Sequence, residues 1–164
     1  MQPSKRVIAV GAVLLASALL IPGAVANADP ADGNAQADAQ GERTLQFDVQ
    51  FSPFTYTDLG QSGPSAADII VFHDILLQHG HEIGDEVGSC VVVDPSGLSN
   101  CTAVIRLSEQ DTLAFSLVNA PPPRKILAIT GGSGSYRTAQ GDGVLVEHGD
   151  AANTGTLTLH VITN

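Results

Sequence analysis

The chain has 164 residues, with 17 acidic against seven basic side chains and a net charge of −10. An acidic excess of that size repels phosphate backbones and anionic lipid, which argues against nucleic-acid and membrane partners. Aromatic residues make up only 4% and tryptophan is missing, which argues against a stacking surface for sugars or bases.

The first residues read as an export signal. Lys5 and Arg6 precede an apolar run over residues 7–21, broken only by Gly11 and Ser17 and closed by Pro22 and Gly23. Ala26-Asn27-Ala28 then offers small residues at the two positions a signal peptidase reads. The run falls short of the ~20 residues a spanning helix needs, so a cleaved signal over 1–28 is expected rather than an anchor, and the protein is expected to be secreted. Its removal takes only Lys5 and Arg6 from the basic side chains and leaves a net charge of −12. Residues 29–42, DPADGNAQADAQGE, hold alanine as their only apolar residue and cannot offset their ordering entropy. A flexible leader over 29–43 is expected, followed by one domain over 44–164.

Period-two alternation runs through that domain. Leu45, Phe47, Val49 and Phe51 alternate with Thr44, Gln46, Asp48 and Gln50, which marks a half-buried strand. Residues 67–77 form a longer β-branched run, apolar on both faces. Further strands are expected over 87–93, 101–107 and 112–118. Pro121, Pro122 and Pro123 then bar pairing until Lys125 opens the next strand, and residues 140–148 and 156–162 complete eight. No stretch has helical periodicity. Eight antiparallel strands fit an up-and-down barrel, whose interior holds packed side chains or one small ligand; a two-sheet sandwich is the alternative. Strands apolar on both faces imply an outer face that is covered, by another subunit for example.

Cys90 and Cys101 are the only cysteines, and an exported protein favours their pairing. Pairing Val91 with Asn100, Val92 with Ser99, Val93 with Leu98 and Asp94 with Gly97 leaves Pro95-Ser96 as a two-residue turn. That register sets the two sulfurs across a hairpin, within bridging distance at a non-hydrogen-bonded pair. A structural disulfide follows.

The segment ILAITGGSGSYRTAQGDGVLVEH, residues 126–148, concentrates glycines between two apolar runs. A phosphate loop needs its glycines to open a helix, yet here a second β-run begins at once, and no Walker lysine is present. Arg137 also stands where a dinucleotide loop starting at Gly132 requires glycine. Gly131, Gly132, Gly134 and Gly141 are therefore expected to form a backbone corner between two strands.

At these residues AITGGSGSYRTAQG resembles the Gly-Gly-Thr/Ser-Gly-x-Phe/Tyr-x-x-Ala-x-Gly signature of the allene oxide cyclase and dirigent superfamily. VFHDILLQHGHEIGDEVGSCVVV is similar to its second and third strands, with Gly84 and Gly88 near the family spacing. The resemblance covers residues 45–163 and is closest to secreted bacterial barrel-like members. It implies an eight-stranded antiparallel barrel, a homotrimer in many members, with an apolar cavity for a hydrophobic small molecule and no cofactor. It also implies an isomerase or cyclase action that holds a reactive substrate in one near-attack geometry. Gln140 departs from the arginine that dirigent proteins carry there, which weakens any transfer of their acid–base roles. Arg137 matches the arginine that follows the aromatic.

Asp74 lies in an apolar run with Ile70, Phe72 and Leu76 on its own face, a setting that disfavours the ionised carboxyl and makes general acids; a solvated barrel rim is the bland alternative. Arg106 shares a face with Thr102 and Val104 and could pair with it. Asp74 and Arg106 are the candidate catalytic residues, and Phe72, Tyr136 and Arg137 the candidate binding residues, Tyr136 being otherwise an aromatic plug of the corner. His73, His79, His81, Glu82, Asp85 and Glu86 crowd one segment, but Gly80 and Gly84 suggest a solvated hairpin loop, and no metal is expected. Glu147 and His148 read as solvated strand-end residues, and His160 as a satisfied structural histidine. Two rival functions stand beside the cyclase reading: a lipocalin-like carrier, and a structural barrel filled by its own side chains.

Overall fold

A computed structural model describes residues 41–121 and 123–164. The expected signal and the leader up to residue 40 lie outside the described residues. Nine strands are found among them: β1 Gly41–Gln50, β2 Thr55–Thr57, β3 Ile69–Gln78, β4 His81–Val92, β5 Ser99–Arg106, β6 Thr112–Asn119, β7 Arg124–Gly132, β8 Gln140–Glu147 and β9 Thr154–Thr163. The ladder runs β1-β9-β8-β7-β6-β5-β4-β3 and closes through an antiparallel β1–β3 pairing, an eight-stranded barrel with every neighbouring pair antiparallel. The sandwich alternative is thereby set aside.

Closure is uneven along β3. Its second half pairs with β1 through Ile75, Leu76 and Leu77, and its first half with β2 through Ile69, Ile70 and Val71. The strand β1 lapses at residues 51–54, where Pro53 has no N–H to donate, and resumes as the three-residue β2. The gap becomes part of a cavity wall.

Two boundaries differ from the sequence reading by more than two residues. The first strand starts at Gly41, inside the expected leader, because Gly41, Glu42 and Arg43 pair with Thr163, Ile162 and Val161. Residues 81–86, expected as loop, are strand: the β3–β4 connection is only His79 and Gly80, both at positive φ. Further along β4 the cysteine hairpin has the expected register, with Cys90 opposite Cys101, Val91 opposite Asn100 and Val92 opposite Ser99. The Cys90–Cys101 disulfide spans a Cα–Cα distance of 4.0 Å. Val93 N–H donates to Leu98 O at 2.7 Å, and alternation from that hydrogen-bonded pair makes the cysteines, three pairs further on, a non-hydrogen-bonded pair.

One half of the barrel is solid. Phe47, Leu76, Ile105, Leu113, Leu157 and Val161 point inward there and are buried. The glycine segment closes that end. It joins β7 to β8 as expected, and the corner contains a single three-residue 3-10 turn, Gly134–Tyr136, that drops the Tyr136 ring into the core. Arg43 caps the ring from outside, 5.2 Å from its centroid. The neighbouring β5–β6 turn clamps the corner: Ser135 N–H donates to Asp111 Oδ1 at 2.8 Å and Ser133 Oγ to Gln110 O at 2.5 Å.

Gly134 has φ +56, and a Cβ there would collide with Asp111 Oδ1 and lie 2.7 Å from Gln110 O. Gly134→Ala is therefore expected to lower unfolding free energy by about 1–3 kcal/mol, the range for a strained non-glycine backbone. A urea denaturation midpoint reads the loss.

Candidate functional site

The other half of the barrel is hollow because its inward residues are small. Gly88, Ala103 and the Cys90–Cys101 bridge occupy the β4–β5 wall where larger side chains would meet. Gly88 lies opposite Phe72, and a Cβ there would collide with the Phe72 ring and stand 2.7 Å from Thr102 O. The missing side chain thus fixes where that ring packs. The resulting cavity holds about 420 Å³ and opens at the end formed by the β4–β5, β6–β7 and β8–β9 connections. This volume lies within the usual 300–1,000 Å³ of small-molecule pockets. Phe51, Phe72, Phe115, Leu117 and Leu145 make its apolar wall.

Two carboxyls face each other across that wall. Asp74 on β3 and Glu86 on β4 are directly opposed in the ladder, are 5% and 4% exposed, and both line the cavity. Asp74 Oδ1 accepts the Ser52 N–H at 2.7 Å, a donor freed where β1 lapses. Among the described residues no hydrogen bond reaches the Glu86 carboxyl from another side chain or backbone group. Burial pushes the Asp74 carboxyl up, opposed by the Ser52 N–H and by the nearby His73. Burial, with the charge of Asp74 added, pushes Glu86 up to about 8. Glu86 is therefore mostly protonated at neutral pH, and Asp74 is the member whose ionised form has a donor.

Opposite this pair, at the mouth, Lys125 is 6% exposed and its Nζ lies 2.7 Å from Glu147 Oε2. Both line the cavity. The segment 51–68 borders the same mouth with Phe54 exposed on it. The wholly buried Asp68 anchors that segment, accepting the Leu59 N–H at 2.7 Å, the Ser65 N–H at 2.6 Å and the Tyr56 hydroxyl. The hydrogen bond to Asp68 pushes the Tyr56 hydroxyl up to about 12 and holds Asp68 below the usual carboxylate range.

The structure brings Asp74 and Phe72 to the cavity and leaves three other sequence candidates outside it. Arg106 is on the outer face, its side chain 57% exposed, and pairs with Asp85 through Nε at 2.7 Å and a second guanidinium nitrogen. His73 Nε2 meets the same carboxylate at 2.7 Å. The Arg106 guanidinium and His73 hold Asp85 below its ordinary value. The expected Asp74–Arg106 pair is thus not formed, because alternation along β5 points Arg106 away from Cys101, Ala103 and Ile105. Tyr136 is the plug of the closed end and does not line the cavity, and Arg137 is exposed beside it. His79 and His81 are exposed at that closed end, while His160 pairs with Asp142 Oδ1 at 2.8 Å on the outer face. Sequence reasoning missed Glu86, Lys125 and Glu147 as cavity residues. Alternation from Cys90 backwards through Gly88 to Glu86 was the available signal.

No protein-family model matches the chain, and no curated relative does. Solved structures share its fold. A pyocyanin demethylase matches with a TM-score of 0.63 at 22% identity, over 73% of this chain and 99% of that one. A pterocarpan synthase dirigent protein matches with a TM-score of 0.59 at 14% identity, over 76% and 86%. The Diels-Alderase AbmU from Streptomyces koyangensis matches with a TM-score of 0.57 at 13% identity, over 78% and 70%. At these identities the likeness is one of fold.

The buried carboxyls give the site a pH signature. Glu86 keeps its proton in the folded chain between about pH 4.5 and 8, where the unfolded chain has lost it, so stability falls as pH rises through that window. At about 1.4 kcal/mol per pH unit at full linkage, the loss across the window is at most about 5 kcal/mol. Glu86→Gln is expected to flatten that slope and to be more stable than the parent at pH 8. Urea midpoints at pH 5 and pH 8 measure both.

Proposed function

We propose that the chain belongs to the allene oxide cyclase and dirigent group of barrels, and that it binds a hydrophobic small molecule in its open half and guides the molecule's cyclisation or isomerisation. The observation that carries the reading is the opposed Asp74–Glu86 pair inside an otherwise apolar cavity. A carrier needs volume alone, and a filled barrel needs neither volume nor buried acid. The likeness in fold to a Diels-Alderase and to a dirigent protein supports the same direction.

The two carboxyls suit complementary parts. Glu86, neutral at pH 7, donates its proton to a heteroatom or unsaturated carbon of the substrate as general acid. Asp74, whose carboxylate the Ser52 N–H stabilises, accepts a proton from an adjacent carbon. One proton enters and one leaves, so the step is an isomerisation without net change in composition. Phe72, Phe115 and Leu117 hold the apolar body in a folded conformer, and intramolecular positioning alone lowers a barrier by up to about 7–11 kcal/mol.

The reading includes export, in keeping with the disulfide and the expected signal over 1–28. It also includes self-association, as the resemblance implies. Val118 and Ile126, on adjacent strands of the outer face and both more than half exposed, support a subunit contact there.

Native mass spectrometry of the protein from its own host tests the binding. A non-covalent small molecule is expected on the parent protein and is expected to be absent from Leu117→Trp, whose indole fills the cavity. With the precursor of that molecule as substrate, Glu86→Gln is expected to slow conversion about 10²-fold or more, the usual share of general acid catalysis. Release of the same molecule unchanged in every assay would make the protein a carrier.

A further inference from the structure

Beyond a hydrophobic ligand, the charge layout of the cavity identifies one feature of it. The charged residues on its wall are Asp74, Glu86 and Glu147 against Lys125 alone. Lys125 is taken by Glu147, on the β7–β8 side, so the Asp74–Glu86 pair has no cation of its own. The remaining basic groups near this wall, His73 and Arg106, point outward and are both held by Asp85. The other elements around the cavity bring Phe51, Ser52, Cys101, Ala103, Phe115, Leu117 and Asn119, none of them positively charged. Glu86, 4% exposed and without a hydrogen-bond partner among the described residues, is a buried acceptor aimed into open volume. Two opposed carboxyls without a counter-ion disfavour double ionisation in the free protein, and a positive ligand relieves the repulsion that a neutral one leaves in place.

We infer that the cavity takes a small molecule whose apolar body carries a positive charge or a basic nitrogen, seated between the Asp74 and Glu86 carboxyls. This rests on the proposed reading of the cavity as a small-molecule site and names the class of molecule. A basic nitrogen receives the Glu86 proton and is held as its cation. A permanent cation displaces that proton to solvent. The acidic chain, at −10 overall, also draws cations toward the mouth.

Isothermal titration calorimetry with two probes of similar bulk tests it: (1-naphthylmethyl)trimethylammonium, whose charge does not titrate, and neutral 1-acetonaphthone, a hydrogen-bond acceptor. The cation is expected to bind about tenfold or more tightly at pH 7.5. Its affinity is expected to rise from pH 6 to pH 9 as Glu86 ionises, and binding at pH 7 is expected to release a proton, read from buffers of different ionisation heat. Glu86→Gln should remove the proton release and flatten the pH profile, and Leu117→Trp should abolish binding. Should the ketone bind as tightly as the cation and weaken with rising pH, the site is a donor for neutral oxygen; the inference falls and the cavity reading stands. Equal binding of the cation to Leu117→Trp would place it on the acidic surface and overturn the inference. Binding of neither probe at millimolar concentration would overturn both readings.

Discussion

A one-residue slip between β3 and β4 decides what the barrel can hold. The hairpin starts in a regular register, with Gln78 opposite His81 and Leu77 opposite Glu82, and continues with Leu76 opposite Gly84. Ile83 is the extra residue. Without it Asp74 would face Asp85, and Glu86 would point to solvent, because a shift of one exchanges the two faces of a strand. With it Glu86 turns inward against Asp74, and Asp85 turns outward to collect His73 and Arg106. A bulge that re-aims a side chain beside a cavity is a recurrent device in sheets.

That arrangement works against stability, and nearby features offset it. Two buried carboxyls with one backbone donor between them cost solvation energy, most of which is avoided by leaving Glu86 protonated. The same wall carries the disulfide, two residues further along both from the inward Gly88 and Ala103. A cross-link restricts the unfolded chain without filling the interior, whereas a larger core side chain would stabilise by occupying the cavity. At the mouth the buried Lys125 is held by its ion pair with Glu147.

What could be read from the sequence follows the range of the interactions. The disulfide hairpin was legible to the residue because its register is set by a local turn, Asp94 to Gly97, and by two cysteines at fixed spacing. The barrel was legible because alternation along each strand and the absence of helical periodicity are local properties. Asp74 stood out since its neighbours Ile70, Phe72 and Leu76 share its face. Glu86 did not stand out, because alternation counted forward from the His79-Gly80 turn is put out of step by the extra Ile83, and only the count backwards from Cys90 through Gly88 places it inward. The same uncertainty misplaced Arg106: its partner Asp85 is outward only after the slip. Tyr136 and Arg137 belonged to the most recognisable motif, yet that motif builds the closed end.

The two ends of the cylinder therefore divide their tasks. The glycine corner, its 3-10 turn and the Tyr136 plug make one end solid, fastened by Asp111 and Ser133 to the adjacent turn. At the opposite end the lapse in β1 and the 51–68 segment shape the mouth. Barrels that share this fold at 13–22% identity carry such different names as demethylase, dirigent protein and Diels-Alderase. Fold alone does not name a chemistry. The hollow half of this chain is lined by a phenylalanine seated over a glycine, a disulfide wall and two carboxyls without a cation. The last of these is the feature with a chemical direction, since an unmatched buried acid favours whatever arrives with a proton to take or a charge to share.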